Sequence, residues 1–489
     1  MVNLSNKQLK VLFVSAEVDP FAKTGGLADV AGSLPKELTL LGQDVRVLMP
    51  RYKSIETELA YVADFPVEMG ERKETCVIKE SCIPVSGSKE VKVYFLENYH
   101  YYYRDGIYCY QDDAQRFIML CKAALEMLPY IDFKPDIIHC NDWHTGPLCL
   151  LLKEKYAKQD FYKDIATVYT IHNLEYQGNF SADICSFLNV EEEFFTYDKA
   201  EFYGMFSFMK CGLVYSDKIN TVSKQYAQEI LSTAYGEKME GILNNRKNDL
   251  FGIVNGISYE EFDPCKSEDL YKVYDAKSPW NKKENKREFQ KEVGLAKSDA
   301  PLLAIVTRLT HQKGLELILG CIERYIKEND IQLAVLGIGD EYYHNSFKEL
   351  QKKYPDNVAV FLEFNQKLAK KIYASADMFL MPSRFEPCGL GQIISFRYGT
   401  IPVVRATGGL AETVIDYDKD RNNGNGFSFN EFDEKEFEDT LNRAIQVYCK
   451  KSQQWGELVV RALESDFSWK KPCIKYLELY KIAIENKNR

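Results

Sequence analysis

A chain of 489 residues, 45% hydrophobic and 27% charged, is long enough to bury a large core and too apolar to stay disordered. Its 62 Lys and Arg against 72 Asp and Glu leave a formal charge of −10, which in bulk repels nucleic acid and anionic lipid, so neither is an expected partner. No run approaches the ~18 apolar residues of a membrane span, and the opening MVNLSNKQLK lacks an apolar signal core. The thirteen cysteines are odd in number, scattered and without a C-x-x-C pair, which fits a reducing compartment. The expected location is cytoplasmic, and oligomeric state stays open.

The first predicted strand is 10–18 (KVLFVSAEV). A glycine-containing loop, a helix over 27–41 and a strand at 44–49 complete a βαβ unit. Apolar runs recur from Val91, Pro135, Ala166, Asp217 and Phe251, with helix-length segments such as 114–128 and 147–156 between most of them. That alternation predicts an open parallel sheet with helices on both faces. Residues 257–300 are charged and turn-rich and read as a connector. A second series follows, with strands at 301–308, 332–339, 357–364, 377–382 and 401–406. The predicted fold class is α/β: two doubly wound, Rossmann-like domains, 1–256 and 257–467, facing across a deep cleft. The final segment, 468–489, reads as an amphipathic helix.

Two segments echo one another. KTGGLADVAG from Lys23 and ATGGLAETVID from Ala406 share TGGLA followed by an acidic residue, each after an apolar strand. Each predicts a Gly-Gly turn and a helix start at the carboxyl edge of a sheet, where open α/β folds bind ligands. Lys23, Thr24, Gly25 and Gly26 combine a cation with backbone that lacks Cβ atoms, a pattern suited to phosphate. It is neither a P-loop nor a dinucleotide fingerprint. Arg308 and Lys313 stand where another strand meets a helix, and together they could clamp a diphosphate.

Residues 381–391, MPSRFEPCGLG, are the most distinctive in the chain. Prolines stiffen the turn, Gly389 and Gly391 open the backbone, and Glu386 is left near the sheet edge, where a carboxylate can accept from sugar hydroxyls. Cys388 has no nearby histidine in sequence to activate it and reads as a packed or ligand-lining thiol. His139 to His144 and Ile171 to Asn173 close two apolar strands, without the spacing of a zinc site. Asp416, Asp418 and Asp420 imitate a calcium loop, but Arg421 holds its glycine position and Phe427 its final Glu position. It reads as an exposed turn, so no metal is expected. Tyrosines crowd residues 94–110, where amphipathic rings suit sugar faces.

Taken together, Lys23-Thr24-Gly25-Gly26-Leu27-Ala28-Asp29-Val30, Asn141-Asp142-Trp143-His144, Ile171-His172-Asn173, Val254-Asn255-Gly256, Arg308 with Lys313, and Pro382 through Leu390 resemble the bacterial glycogen synthase and plant starch synthase family. The resemblance runs from Val11 to Tyr480. It implies a retaining glycosyltransferase of the GT-B fold that adds glucose from a nucleotide sugar, ADP-glucose in bacteria, to the 4-hydroxyl of an α-1,4-glucan. The partners implied are a nucleotide sugar and that glucan, with no cofactor and no metal. Same-fold alternatives are a UDP-glucose enzyme, a sucrose synthase, a pyridoxal-phosphate glucan phosphorylase, or an inactive glycan-binding paralogue.

By the same resemblance, Arg308 and Lys313 hold the diphosphate and Lys23 reaches it from the other domain. Glu386 and Asn255 bind donor groups, His172 lies against the transferred glucose, and Asp142 lies near the reacting sugar or acceptor. Gly25, Gly26, Cys388, Gly389, Leu390, Gly391, Thr407, Gly408 and Gly409 line the donor, with the glycine turns lending backbone donors. Glu17, Asp29 and Tyr103 face the acceptor. The terminal helix is expected to cross back to the first domain, with hinges near Ile257 and before Pro472. The family often carries a hydroxyl residue where this chain has Gly391, so any phosphate contact there must come from backbone N–H alone.

Overall fold

Strand β1 (Lys10–Val14) buries four of its five residues, as a parallel strand covered on both faces must. The computed structural model describes residues 7–329 and 331–487 and forms two units. The first runs to Asn255 and regains the chain from Trp469; the second is Gly256–Ser468.

In the first unit β1 is followed by β2 (Asp44–Pro50), β3 (Ala60–Met69), β4 (Arg72–Val85), β5 (Lys89–Glu97), β6 (Ile137–Asn141) and β7 (Ala166–Ile171). A small sheet of β8 (Asn179–Phe180), β9 (Glu201–Phe202) and β10 (Met205–Ser207) precedes β11 (Lys218–Thr221) and β12 (Leu250–Gly252). The main sheet runs β12-β11-β7-β6-β1-β2-β5-β4-β3. It is parallel from β12 to β5, and β4 and β3 are antiparallel. The fully parallel expectation fails at this edge. In β3, Phe65, Val67 and Met69 are buried while the residues between them are exposed, the alternation of strands with one solvated face. The charges in KETCVIKES mask that pattern in the sequence.

The second unit holds β13 (Leu302–Val306), β14 (Gln332–Leu336), β15 (Val358–Phe361), β16 (Met378–Met381), β17 (Ile401–Arg405) and β18 (Phe427–Phe429), in the order β15-β14-β13-β16-β17-β18. All its pairings are parallel. Each unit therefore starts in mid-sheet and reverses direction once, between β1 and β6 in one and between β13 and β16 in the other. The crevice outside the carboxyl ends at such a reversal is where doubly wound sheets bind ligands.

Two further expectations are corrected. The connector contains a helix, Lys282–Val293, whose Lys282 ammonium is buried within 3.0 Å of the carbonyls of Tyr373, Ala374 and Tyr398 and 2.7 Å from Thr400 Oγ1. A helix anchored by lysines on backbone carbonyls shows little apolar stripe to a sequence reading. Asp416 is no exposed turn: it is buried, accepts from the Ser428 N–H at 2.7 Å and pairs with Arg443 at 3.1 Å. The helix Lys470–Lys487 belongs to the first unit, where Tyr480 hydroxyl lies 2.8 Å from His139 Nδ1 and Tyr476 hydroxyl accepts from Asn220 Nδ2 at 3.1 Å.

Candidate functional site

In the second unit three loops leave the carboxyl edge after β13, β16 and β17 and press against one another. A Cβ on Gly314, at φ +64°, would come within 2.0 Å of the Pro382 carbonyl oxygen. One on Gly408, at φ +46°, would meet the Glu386 carbonyl at the same distance. Glycine is required at both positions by sterics and by left-handed backbone. The Arg384 N–H donates to the Gln312 carbonyl at 2.9 Å, tying the first two loops.

That packing brings Lys313 and Glu386 together. Their ion pair measures 2.6 Å, and Ser383 Oγ donates to the same carboxylate oxygen at 3.0 Å. Arg308 is exposed, and among the described residues its guanidinium has neither an ion pair nor a hydrogen bond. The unit thus offers one uncommitted cation and one shared cation at its reversal point. Cys388 is buried and Leu390 half-buried, leading into the helix Gly391–Arg397. Gly389 has φ +72°.

The expectation that Gly408 and Gly409 lend backbone donors is corrected at Gly409, whose N–H is engaged by the carbonyls of Glu386 (3.1 Å) and Pro387 (3.2 Å). Thr407, buried, precedes that turn as the helix N-cap. A side chain at Gly391 would come within 2.8 Å of the Phe379 ring, so close packing accounts for the missing hydroxyl residue.

In the first unit the corresponding edge gathers the loops after β1, β6 and β7. Glu17 is buried, and its carboxylate accepts from the Thr24 N–H, the Thr24 hydroxyl (2.7 Å), the Gly25 N–H (3.3 Å) and the Tyr108 hydroxyl. An enclosed carboxylate with four donors holds the loop that carries Lys23. It also engages the Gly25 N–H. Gly25 itself is extended, and a Cβ there would meet nothing within 4 Å. Unlike Gly408, this glycine is not required by the chain's own packing, and Gly26 next to it begins the helix Gly26–Leu40. Lys23 pairs with Asp29 in the first turn of that helix and lies 3.8 Å from Asp19.

Asp142 directly follows β6 and takes φ +59°, a strained conformation for a residue with a Cβ. It is buried, and burial pushes its carboxyl well above the usual range, with the Glu17 charge adding to the effect. His172 follows β7, beside Asn141 on the neighbouring strand. Asn141 Nδ2 donates to the carbonyls of Val14 (3.1 Å) and His139 (3.3 Å), so its Oδ1 faces His172 Nε2 at 3.0 Å. The histidine therefore carries its proton on Nε2 and presents a bare Nδ1. Burial lowers its pKa to about 3, so the imidazole is neutral. His144 stacks against Trp143 at 4.0 Å and Tyr108 at 4.9 Å. Asn255 is buried, and its Oδ1 has no hydrogen-bond partner among the described residues. Tyr103 is half exposed and packs against Tyr99, and it is Tyr108 that reaches Glu17.

Against this geometry, the family model described as "Starch synthase catalytic domain" matches residues 10–245, and that described as "Glycosyl transferases group 1" matches 286–458. A glycogen synthase of Desulforudis audaxviator is 50% identical, over 98% of this chain and 97% of its own. The chain belongs to the glycogen and starch synthase family. Among solved structures, the catalytic domain of starch synthase IV from Arabidopsis thaliana, bound to ADP and acarbose, superposes with a TM-score of 0.92 at 33% identity, covering 98% of this chain and all of that one. A sucrose-phosphate synthase from Thermosynechococcus elongatus has a TM-score of 0.60 at 16% identity over 97% and 98% of the two chains, a likeness of fold. The family is one of glycosyltransferases, and the fold is GT-B with two Rossmann-like domains.

Sequence reasoning missed Asn141 as a partner of His172, although the register that pairs Asn141 with Thr170 carries that information. It also missed Phe364, 65% exposed, and Ile338, 49% exposed. These follow the adjacent strands β15 and β14 at the same carboxyl edge as Arg308. Among the described residues no three His, Cys, Asp or Glu side chains are grouped to hold a metal, and no helix is long and apolar enough to cross a membrane.

Proposed function

We propose that the protein transfers glucose from ADP-glucose to the non-reducing 4-hydroxyl of an α-1,4-glucan with retention of configuration, in the cytoplasm and with no cofactor beyond the donor. The observation that carries this reading is the cationic pair at the reversal point of the second sheet: Arg308 uncommitted, Lys313 held by Glu386. Preorganised charge of this kind stabilises a departing diphosphate. ADP as the nucleotide is supported by the Arabidopsis relative, which was solved with ADP.

In this reading Arg308 and Lys313 bind the diphosphate, and Lys23 is the cation the first unit offers to it. The N–H groups of residues 389–391 and the turn at Thr407 and Gly408 border the phosphates beside Cys388. Phe364 and Ile338 give the nucleobase an apolar face. Glu386 and Asn255 accept from donor hydroxyls, and the unpartnered Asn255 Oδ1 supports that role. Neutral His172 accepts a hydroxyl hydrogen of the transferred glucose at Nδ1.

Retention through a covalent intermediate would need an ionised carboxylate nucleophile. Asp142 is poorly suited, because burial favours its protonated form. Front-face attack fits better: the leaving diphosphate oxygen takes the proton of the acceptor hydroxyl as the new glycosidic bond forms, and the protein supplies position and charge. The test is a side-by-side turnover assay with ADP-glucose and UDP-glucose on glycogen. ADP release and glycogen elongation are expected, and failure to release ADP in the presence of glycogen would refute the reading.

A further inference from the structure

Gln392 is fully buried in the first turn of the helix Gly391–Arg397. Its Nε2 donates to the carbonyls of Cys388 at 3.1 Å and Gly389 at 2.8 Å, and to Thr413 Oγ1 at 3.2 Å. The Thr413 hydroxyl gives its own proton to the Gly409 carbonyl at 2.7 Å, so toward Gln392 it accepts. Three acceptors around one end of the amide fix that end as the nitrogen. The amide oxygen has no hydrogen-bond partner among the described residues. A buried amide with its oxygen unmet costs stability, and an apolar side chain of the same length would fill the space without that cost. What only the amide supplies is its pair of donors.

Those donors set the direction of two peptide units. A trans peptide is planar and carries its C=O and N–H on opposite sides, and the one cis bond among the described residues is Asp19–Pro20. With the Cys388 and Gly389 carbonyls both turned to Gln392, the N–H groups of Gly389 and Leu390 leave on the side away from it. Neither N–H has a hydrogen-bond partner among the described residues. Successive N–H groups facing one way form a concavity suited to an anion. The neighbouring glycines make room for this arrangement. Gly389 takes φ +72°, and a Cβ there would overlap Gln392 Oε1; a Cβ on Gly409 would overlap the Cys388 carbonyl that Gln392 holds. The amide thus ties the loop after β16 to the helix Gly408–Thr413 after β17.

We propose that Gln392 is a positioning residue for the transfer: by holding two consecutive carbonyls it aims the Gly389 and Leu390 N–H groups at the departing diphosphate. The inference rests on the donor reading given above and assigns to one side chain the aim of its backbone donors.

The test is Gln392→Met, which keeps the length of the side chain and removes its donors, beside Gln392→Glu. Calorimetry with ADP and with adenosine reads the phosphate and nucleoside ends separately. Gln392→Met should bind ADP about tenfold or more weakly, the loss of about one hydrogen bond to a charged acceptor, with adenosine affinity held. Equal ADP binding in variant and wild type would overturn the proposal. So would an equal fall for ADP and adenosine, which would make the residue a support of the fold alone. Gln392→Glu adds a pH signature, because a buried carboxyl is protonated readily and its O–H can donate to the Gly389 carbonyl as the amide did. Relative to wild type at the same pH, this variant should bind ADP more tightly than Gln392→Met near pH 5 and no better than it near pH 8. Where Gln392→Met lacks a cooperative melt, the recovery of Gln392→Glu between pH 8 and pH 5 decides alone, and no recovery overturns the proposal. Should wild type bind ADP yet fail to elongate glycogen, the transfer reading falls, and the ADP comparison still decides the role of Gln392 separately.

Discussion

The Lys313 ammonium lies 2.6 Å from Glu386 Oε2, with the two side chains only 12% and 8% exposed. Enclosed charges of this kind are costly to separate, because removing one leaves the other without compensation, at about 3–5 kcal/mol. Lys313→Ala is therefore expected to lower both the melting temperature and kcat, the latter by about 10²- to 10³-fold, as when one preorganised donor is lost. Steady-state kinetics with ADP-glucose and a thermal scan read the two effects. Wild-type turnover in the variant would remove Lys313 from the diphosphate site.

His172 is neutral because burial holds its pKa at about 3. Between that value and the ordinary ~6.5 the unfolded chain binds a proton that the folded chain does not. Its contribution to stability is thus fully present above ~6.5 and is lost as pH falls toward 3. The rate profile should show no inflection from this group between about pH 5 and pH 8. Asn141→Asp puts a carboxylate where the amide oxygen stands 3.0 Å from Nε2, which raises the imidazole pKa. A new acid inflection in kcat is expected, and an unchanged profile would contradict the tautomer derived above.

The parts of the fold legible in the sequence were those whose signal is local. Continuous apolar runs such as LLAIV and ATVYTI became parallel strands because both their faces are buried. The β3 and β4 hairpin and the helix Lys282–Val293 were not legible, because one is half solvated and the other is held by lysine-to-carbonyl contacts. At the site, Arg308, Lys313 and Glu386 stood out as charges at strand ends. The partnership of Glu17 with Tyr108, 91 residues apart, depends on where the loop after β5 folds, and no spacing in the sequence encodes that.

The two TGGLA segments look alike and differ physically. Gly408→Ala drives a Cβ into the Glu386 carbonyl at φ +46°; strain and overlap together should cost about 2–6 kcal/mol. Gly25→Ala meets open space on an extended backbone, so the loss should stay within about 1 kcal/mol, mostly the weaker helix cap. Activity should fall in Gly25→Ala all the same, because in the proposed reading the new methyl enters open space that the donor needs beside this turn. Thermal melts of the pair decide the first claim, and the KM for ADP-glucose decides the second.

Glu17 gathers four donors from two segments, Thr24 with Gly25 and Tyr108. Glu17→Gln replaces one accepting oxygen with an NH₂ that faces an existing N–H or O–H, so the loop carrying Lys23 must shift. A displacement of about 1 Å in a positioning element can cost about 10²-fold in rate, and kcat/KM for ADP-glucose should fall on that order. Tyr108→Phe removes a single donor and leaves three, a loss of about 1 kcal/mol in stability with a smaller kinetic effect. The order of the two variants is the discriminating result. If Tyr108→Phe were the slower enzyme, the tyrosine itself would be touching substrate, and Glu17 would serve only to hold it.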